Sequence, residues 1–141
     1  MAEFEQDGIG FRYPENWLFQ REESESGWTV SVQSPQTAFF MLTYDDEMPQ
    51  QELMAETALE ALRSEYPELE AEESFESIAG QPAIGHDIRF FSFDLTNTCW
   101  TRSFYSGHGT VLALWQANDL ELDEVEPIFQ AIRASLHVDE D

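Results

Sequence analysis

The chain has 141 residues, 42% of them hydrophobic and 13% aromatic, which is enough for one cored domain and too short for two. Twenty-nine acids against six bases give a formal charge of −23, a field that argues against binding to nucleic acid or to an anionic membrane surface. All six bases are arginines (Arg12, Arg21, Arg63, Arg89, Arg102, Arg133), which excludes Schiff-base chemistry, a Walker-type phosphate lysine and a lysine general base.

Cys99 is the one cysteine and has no internal disulfide partner, so the core must hold the fold. Residues 1–7 carry three acids and no apolar run, unlike a signal peptide, and no stretch approaches the roughly 20 apolar residues of a spanning helix. The expected compartment is the cytoplasm.

Ile9, Phe11 and Tyr13 alternate with polar or small residues and predict a short strand, which Pro14-Glu15-Asn16 turns. A second run, residues 17–20, is followed by an acidic segment, 21–27, read as a turn ending in glycine. Trp28, Val30 and Val32 alternate with Thr29, Ser31 and Gln33, the pattern of a half-buried strand. Residues 38–44 are apolar on both faces, as in a central strand.

Pro49 suits the first position of a helix running to about Glu65, because its missing amide proton would be unsatisfied there anyway. Ala55, Leu59, Leu62 and Tyr66 make its apolar stripe, while Glu52, Glu56 and Glu60 stack at four-residue spacing outside. Residues 69–78 alternate acids with small or apolar side chains and predict an edge strand, closed by Gly80-Gln81-Pro82. Ile84, His86, Ile88 and Phe90 share one face of the next strand and Arg89, Phe91 and Phe93 the other; a turn is placed at 94–97. Strands at 98–105 and 110–115 follow, joined by Ser106-Gly107-His108-Gly109. A last helix begins near Asp119 or Asp123 and carries Val125, Ile128, Phe129, Ile132 and Leu136 at helical spacing. Strands joined by tight turns, two of them apolar on both faces, predict an α+β fold: an antiparallel sheet covered by helices on both faces, an α/β/α sandwich forming a single domain over residues 1–141.

Three segments resemble the PsbP-like superfamily: Gly-Ile-Gly-Phe-Arg-Tyr-Pro-Glu-Asn-Trp at 8–17, Ala-Gly-Gln-Pro-Ala at 79–83, and Ile-Phe-Gln-Ala-Ile-Arg-Ala-Ser-Leu at 128–136. That group includes the oxygen-evolving accessory subunit of photosystem II, the Mog-type Ran release factor and many bacterial proteins. The order of elements matches along nearly the whole chain. The resemblance implies an antiparallel sheet between helices and a protein that acts by binding others. It carries over no ligand motif, no functional residue and no Ran binding, since each segment marks a strand start, a turn or a helix end.

The strongest local signal is charge. Residues 45–76 hold twelve acids and one base, Arg63. Like charges four apart on a helix cost about 0.2–0.5 kcal/mol per pair, so Glu52, Glu56 and Glu60 need solvent, salt or a basic partner. Three readings remain open: the solvated face of an acidic protein of a salty habitat, a basic protein partner, and calcium, for which no EF-hand spacing exists.

No His-Glu-x-x-His, no paired cysteines and no close histidine pair occur, so no metal site is expected. Neither a Gly-x-Ser-x-Gly elbow nor a Gly-x-Gly-x-x-Gly loop is present, and no cofactor is expected. His86 reads as a polar strand position, His108 as an exposed turn residue and Cys99 as an inert buried one. Two helices cover only part of so apolar a sheet, which leaves an aromatic patch to pair two copies of the chain or to receive an apolar segment of a client. The candidate is the 98–105 strand, with Trp100, Arg102 and Phe104 on one face.

The expected function is a non-enzymatic accessory or adaptor domain that binds another protein through the acidic helix face or the aromatic patch. The alternative is a calcium-type cation-binding or small-ligand module on the acidic surface. A hydrolase would require a histidine hydrogen-bonded to Cys99 or to a serine in a cleft.

Overall fold

The computed structural model describes residues 1–139. In chain order these form β1 (Ala2–Gln6), β2 (Ile9–Tyr13), β3 (Leu18–Ser24), β4 (Gly27–Gln33), β5 (Phe39–Asp45), α1 (Gln51–Glu65), β6 (Glu70–Ile78), β7 (Gln81–Ser92), β8 (Leu95–Tyr105), β9 (Thr110–Asn118), α2 (Leu122–Ser135) and β10 (His137–Val138). The fold is α+β, and every strand pairing is antiparallel. There are two sheets where one was expected: seven strands in the order β3-β4-β5-β9-β8-β7-β6, and a small sheet β1-β2-β10.

The strands that the sequence pattern did not reveal are those with few inward residues. In β1 only Phe4 is buried, between exposed Glu3 and Glu5, and one apolar residue makes no period. It pairs with β2 through a turn at Asp7 and Gly8, whose φ values of 53° and 76° are both left-handed. The acidic segment 21–27 is a strand over its first part and not a turn: β3 continues through Arg21, Glu22 and Glu23, paired with β4 as far as Ser24 opposite Gly27. Its charges suit a sheet edge, where solvent reaches them and discourages further pairing. The turn expected at 94–97 is tighter and lies at Phe93-Asp94, with Ser92 opposite Leu95. Helix α1 begins at Gln51; Pro49 stands before it, where its carbonyl accepts the Thr110 hydroxyl at 2.5 Å.

Residues of β9 alternate between two apolar clusters. Val111, Ala113, Trp115 and Ala117 join Val125, Phe129 and Ile132 of α2 together with Phe4, Ile9 and Phe11 of the small sheet. Leu114 points the other way and joins Leu59 of α1 with Ile88, Phe90 and Cys99. Phe11, Phe40, Phe104 and Phe129 are wholly enclosed, and each such burial stabilises by about 1.5–3 kcal/mol relative to exposure. On the α1 side, Phe39 and Met41 are only half-buried beside Thr29, Ser31 and Thr43 of the open sheet.

Candidate protein-binding surface

Strand register sets one row across the large sheet: Glu72 of β6 opposite Asp87 of β7, Asp87 opposite Trp100 of β8, Trp100 opposite Trp115 of β9, and Trp115 opposite Phe40 of β5. Phe40, Trp115 and Trp100 stack in succession, with ring centres 5.7 and 6.0 Å apart, and Phe129 of α2 meets the Trp100 ring edge-on at 6.3 Å. Beyond Trp100 the row emerges from beneath α2 and turns acidic. There a groove of about 310 Å³ is lined by Glu70, Glu72, Asp87, Arg89, Thr98 and Trp100.

Arg102 and Phe104, expected to share an exposed face with Trp100, are not at the surface. Phe104 is wholly buried in the core beside Val111, so that expectation is corrected. Arg102 is 4% exposed and engaged on every side. It donates to Asp87 at 2.8 Å, to Glu76, and to the carbonyls of His86 and Thr101 at 3.3 and 2.7 Å. Arg133 of α2 donates to the same Glu76 and lays its guanidinium over Trp115, 4.9 Å from the ring centre. Burial pushes the Glu76 carboxyl up, but the hydrogen bonds and charges of Arg102 and Arg133 outweigh it and hold the group below its usual range. A buried charge held this way is a fastener of strands to helix and not a contact offered to a partner.

The acidic face of α1 is exposed at Glu52, Glu56 and Glu60, but two of the three have company. Glu60 pairs with Arg63, and Glu56 Oε1 lies 3.7 Å from Nε2 of His86, a buried histidine whose Nδ1 has no partner. Burial pushes the Cys99 thiol up to about 12. His86 and Cys99 therefore form no nucleophile and base pair. Among the described residues no three His, Cys, Asp or Glu side chains gather as a metal ion would require. No helix among them is long and apolar enough to cross a membrane.

The tip of the β7–β8 hairpin is the feature that the sequence reading missed. Pairing to β6 ends at Arg89 and pairing to β9 begins at Asn97, so over residues 91–95 the hairpin pairs only with itself and no strand flanks it. Phe91 is 69% exposed and Phe93 96%. Phe93 and Asp94 both sit at positive φ, 53° and 62°, a conformation that costs a non-glycine residue of order 1–3 kcal/mol. Phe91 follows Asp87 and Arg89 on the groove's face, one step of two residues further along β7.

No family model matches the chain, and no curated protein is similar to it in sequence. Solved structures are similar in fold at low identity. Cyanobacterial PsbP from Synechocystis superposes with a TM-score of 0.64 at 13% identity, covering 98% of this chain and 92% of its own. LpqN of Mycobacterium tuberculosis, involved in cell envelope biogenesis, gives 0.56 at 13% identity, covering 97% and 90%. A protein of Bacteroides thetaiotaomicron gives 0.62 at 14% identity and covers 99% of this chain, which spans 48% of that protein's length. The chain has a PsbP-like fold.

Proposed function

We propose that this chain is a non-enzymatic accessory domain, an α/β/α sandwich of PsbP-like form, that binds another protein through the uncovered end of β6, β7 and β8. The observation that carries this reading is Phe93, 96% exposed and held at a left-handed φ on a tip with no neighbouring strand. An exposed phenylalanine forgoes burial, and a left-handed one adds backbone strain; two costs on one residue are the mark of a contact made with something else. The accessory and envelope-associated character of PsbP and LpqN is compatible with such a role. The buried thiol of Cys99 and the unpartnered Nδ1 of His86 supply no catalytic pair that would favour an enzyme.

A photo-reactive phenylalanine analogue placed at Phe93 in the native cell tests the proposal, with the same analogue at Thr29, on the open sheet beyond α1, as control. A discrete protein adduct from position 93 and none from position 29 supports it. Absence of an adduct at 93, or the same adducts from both, overturns it.

A further inference from the structure

We infer that the groove beside Trp100 receives an arginine side chain of the partner; this rests on the adaptor reading and names the chemistry of what is bound. Glu72 and Asp87 stand directly opposite each other across β6 and β7 on one face. Like charges in that position are destabilising, and Glu72 makes no ion pair among the described residues. Asp87 is fixed from below by Arg102 through Oδ1, yet its side chain remains 46% exposed. Arg89 lies in the groove opposite Glu70 and offsets one carboxylate of three. Glu72 is left without an ion pair among the described residues, and Asp87 shares its one cation, Arg102, with Glu76, beside an indole.

A guanidinium answers each of these features. Its plane lies against the Trp100 indole, and its fork of N–H donors meets the carboxylates of Glu72 and Asp87 together. The groove, about 310 Å³, is at the small end of ligand sites and suits one side chain better than a cofactor. The formal charge of −23 steers a basic segment toward the chain, while Phe91 and Phe93 offer apolar contact to the residues flanking its arginine.

The probe is a capped peptide, Gly-Leu-Arg-Leu-Gly, against the same peptide with citrulline, which keeps the shape and removes the charge. Binding is read by NMR at the Thr98 amide on the groove wall. Saturable shifts with the arginine peptide and none with citrulline are expected. Glu72→Gln and Trp100→Leu should each weaken binding at least about fivefold, while Glu23→Gln on β3 leaves it unchanged. Glu72 is exposed, so its variant folds whatever becomes of Trp100→Leu. Equal shifts with both peptides, or undiminished binding by Glu72→Gln, overturn the inference. Cross-linking at position 93 separates the two claims: adducts that persist in Glu72→Gln sink the groove and leave the adaptor reading standing, and no adducts from the unmutated groove sink both.

Discussion

Arg102 of β8 reaches across β7 to Glu76 of β6, passing over the two smallest side chains that strand offers, Ala83 opposite Glu76 and Gly85 opposite Arg102. Gly85 is obligatory there: a Cβ would stand 1.7 Å from the carbonyl oxygen of Thr101. Arg133 brings α2 to the same carboxylate, so three strands and a helix share one partly buried ionic centre around Arg102. Replacing Arg102 by methionine strips Asp87 of its cation and leaves Glu76 with Arg133 alone, and should cost about 3 kcal/mol in urea unfolding. Glu76→Gln should cost less. The pH dependence has a definite sign. The folded carboxyl titrates below its ordinary value of 4.5, so its contribution is present above that value and is lost as pH falls through the depressed one. The gap in stability between the native chain and Glu76→Gln should therefore close on acidification from about pH 7 to about pH 3. A gap that widened would mean that the carboxyl is not held ionised.

Glu121, at the start of α2, is 2% exposed and closes the loop between β4 and β5. Its carboxylate accepts the amides of Thr37 and Ala38 at 3.0 and 3.1 Å, the Thr37 hydroxyl at 3.2 Å and the Ser34 hydroxyl. Glu121→Ala should cost roughly 2–3 kcal/mol and speed hydrogen exchange at the amides of residues 37 and 38, since those donors lose a charged acceptor. Glu121→Gln retains an acceptor and should lose about half as much. Unchanged exchange at both amides would show that solvent or Ser34 satisfies them instead.

The elements with a dense apolar pattern were legible from the sequence, because each buried face repeats. Ala55 and Leu59 of α1, Val125, Phe129 and Ile132 of α2, and Val30 and Val32 of β4 all lie where their spacing put them. Strands held by one inward residue or none were not legible: β1 has only Phe4, and the end of β3, from Arg21 to Ser24, has no apolar residue. The ionic centre was hidden for a different reason. Glu76 and Arg102 meet only because the strand order runs β8-β7-β6 and the register places small residues between them, which no local pattern encodes. Gly85 within a strand was the available clue, since such a glycine marks close backbone approach. The same limit placed Arg102 and Phe104 at the surface when the sequence put them on one face with Trp100. Alternation tells which residues share a face; it does not tell how far along the strand the helix above extends.

Cys99 lies at the centre of the cluster beneath α1, wholly enclosed, with its thiol pushed up to about 12 by burial alone. In the folded chain it should resist a thiol reagent at about pH 8 and react at once in urea, because the nucleophile is the thiolate. Cys99→Ser should cost roughly 1–3 kcal/mol, as a hydroxyl without a partner replaces a small apolar group between Leu59 and Ile88. Rapid labelling without denaturant would instead reveal that α1 lifts from the sheet readily.

The hairpin tip gives a prediction in which stability and binding move in opposite directions. A two-residue hairpin with both φ values positive favours Asn-Gly, and this chain has Phe93-Asp94 at 53° and 62°. The pair Phe93→Asn and Asp94→Gly should raise stability by about 1 kcal/mol, since neither new residue is strained there and an exposed phenyl ring is removed. If the tip is the contact surface, the same change should abolish binding to the partner identified by cross-linking at position 93. Gain of stability with undiminished binding would place the contact elsewhere on β6, β7 and β8. No gain at all would show that the backbone relaxes around Phe93, and the strain argument for its role would fall. The expected combination, a firmer hairpin that no longer binds, is that of a site whose local cost is retained for function.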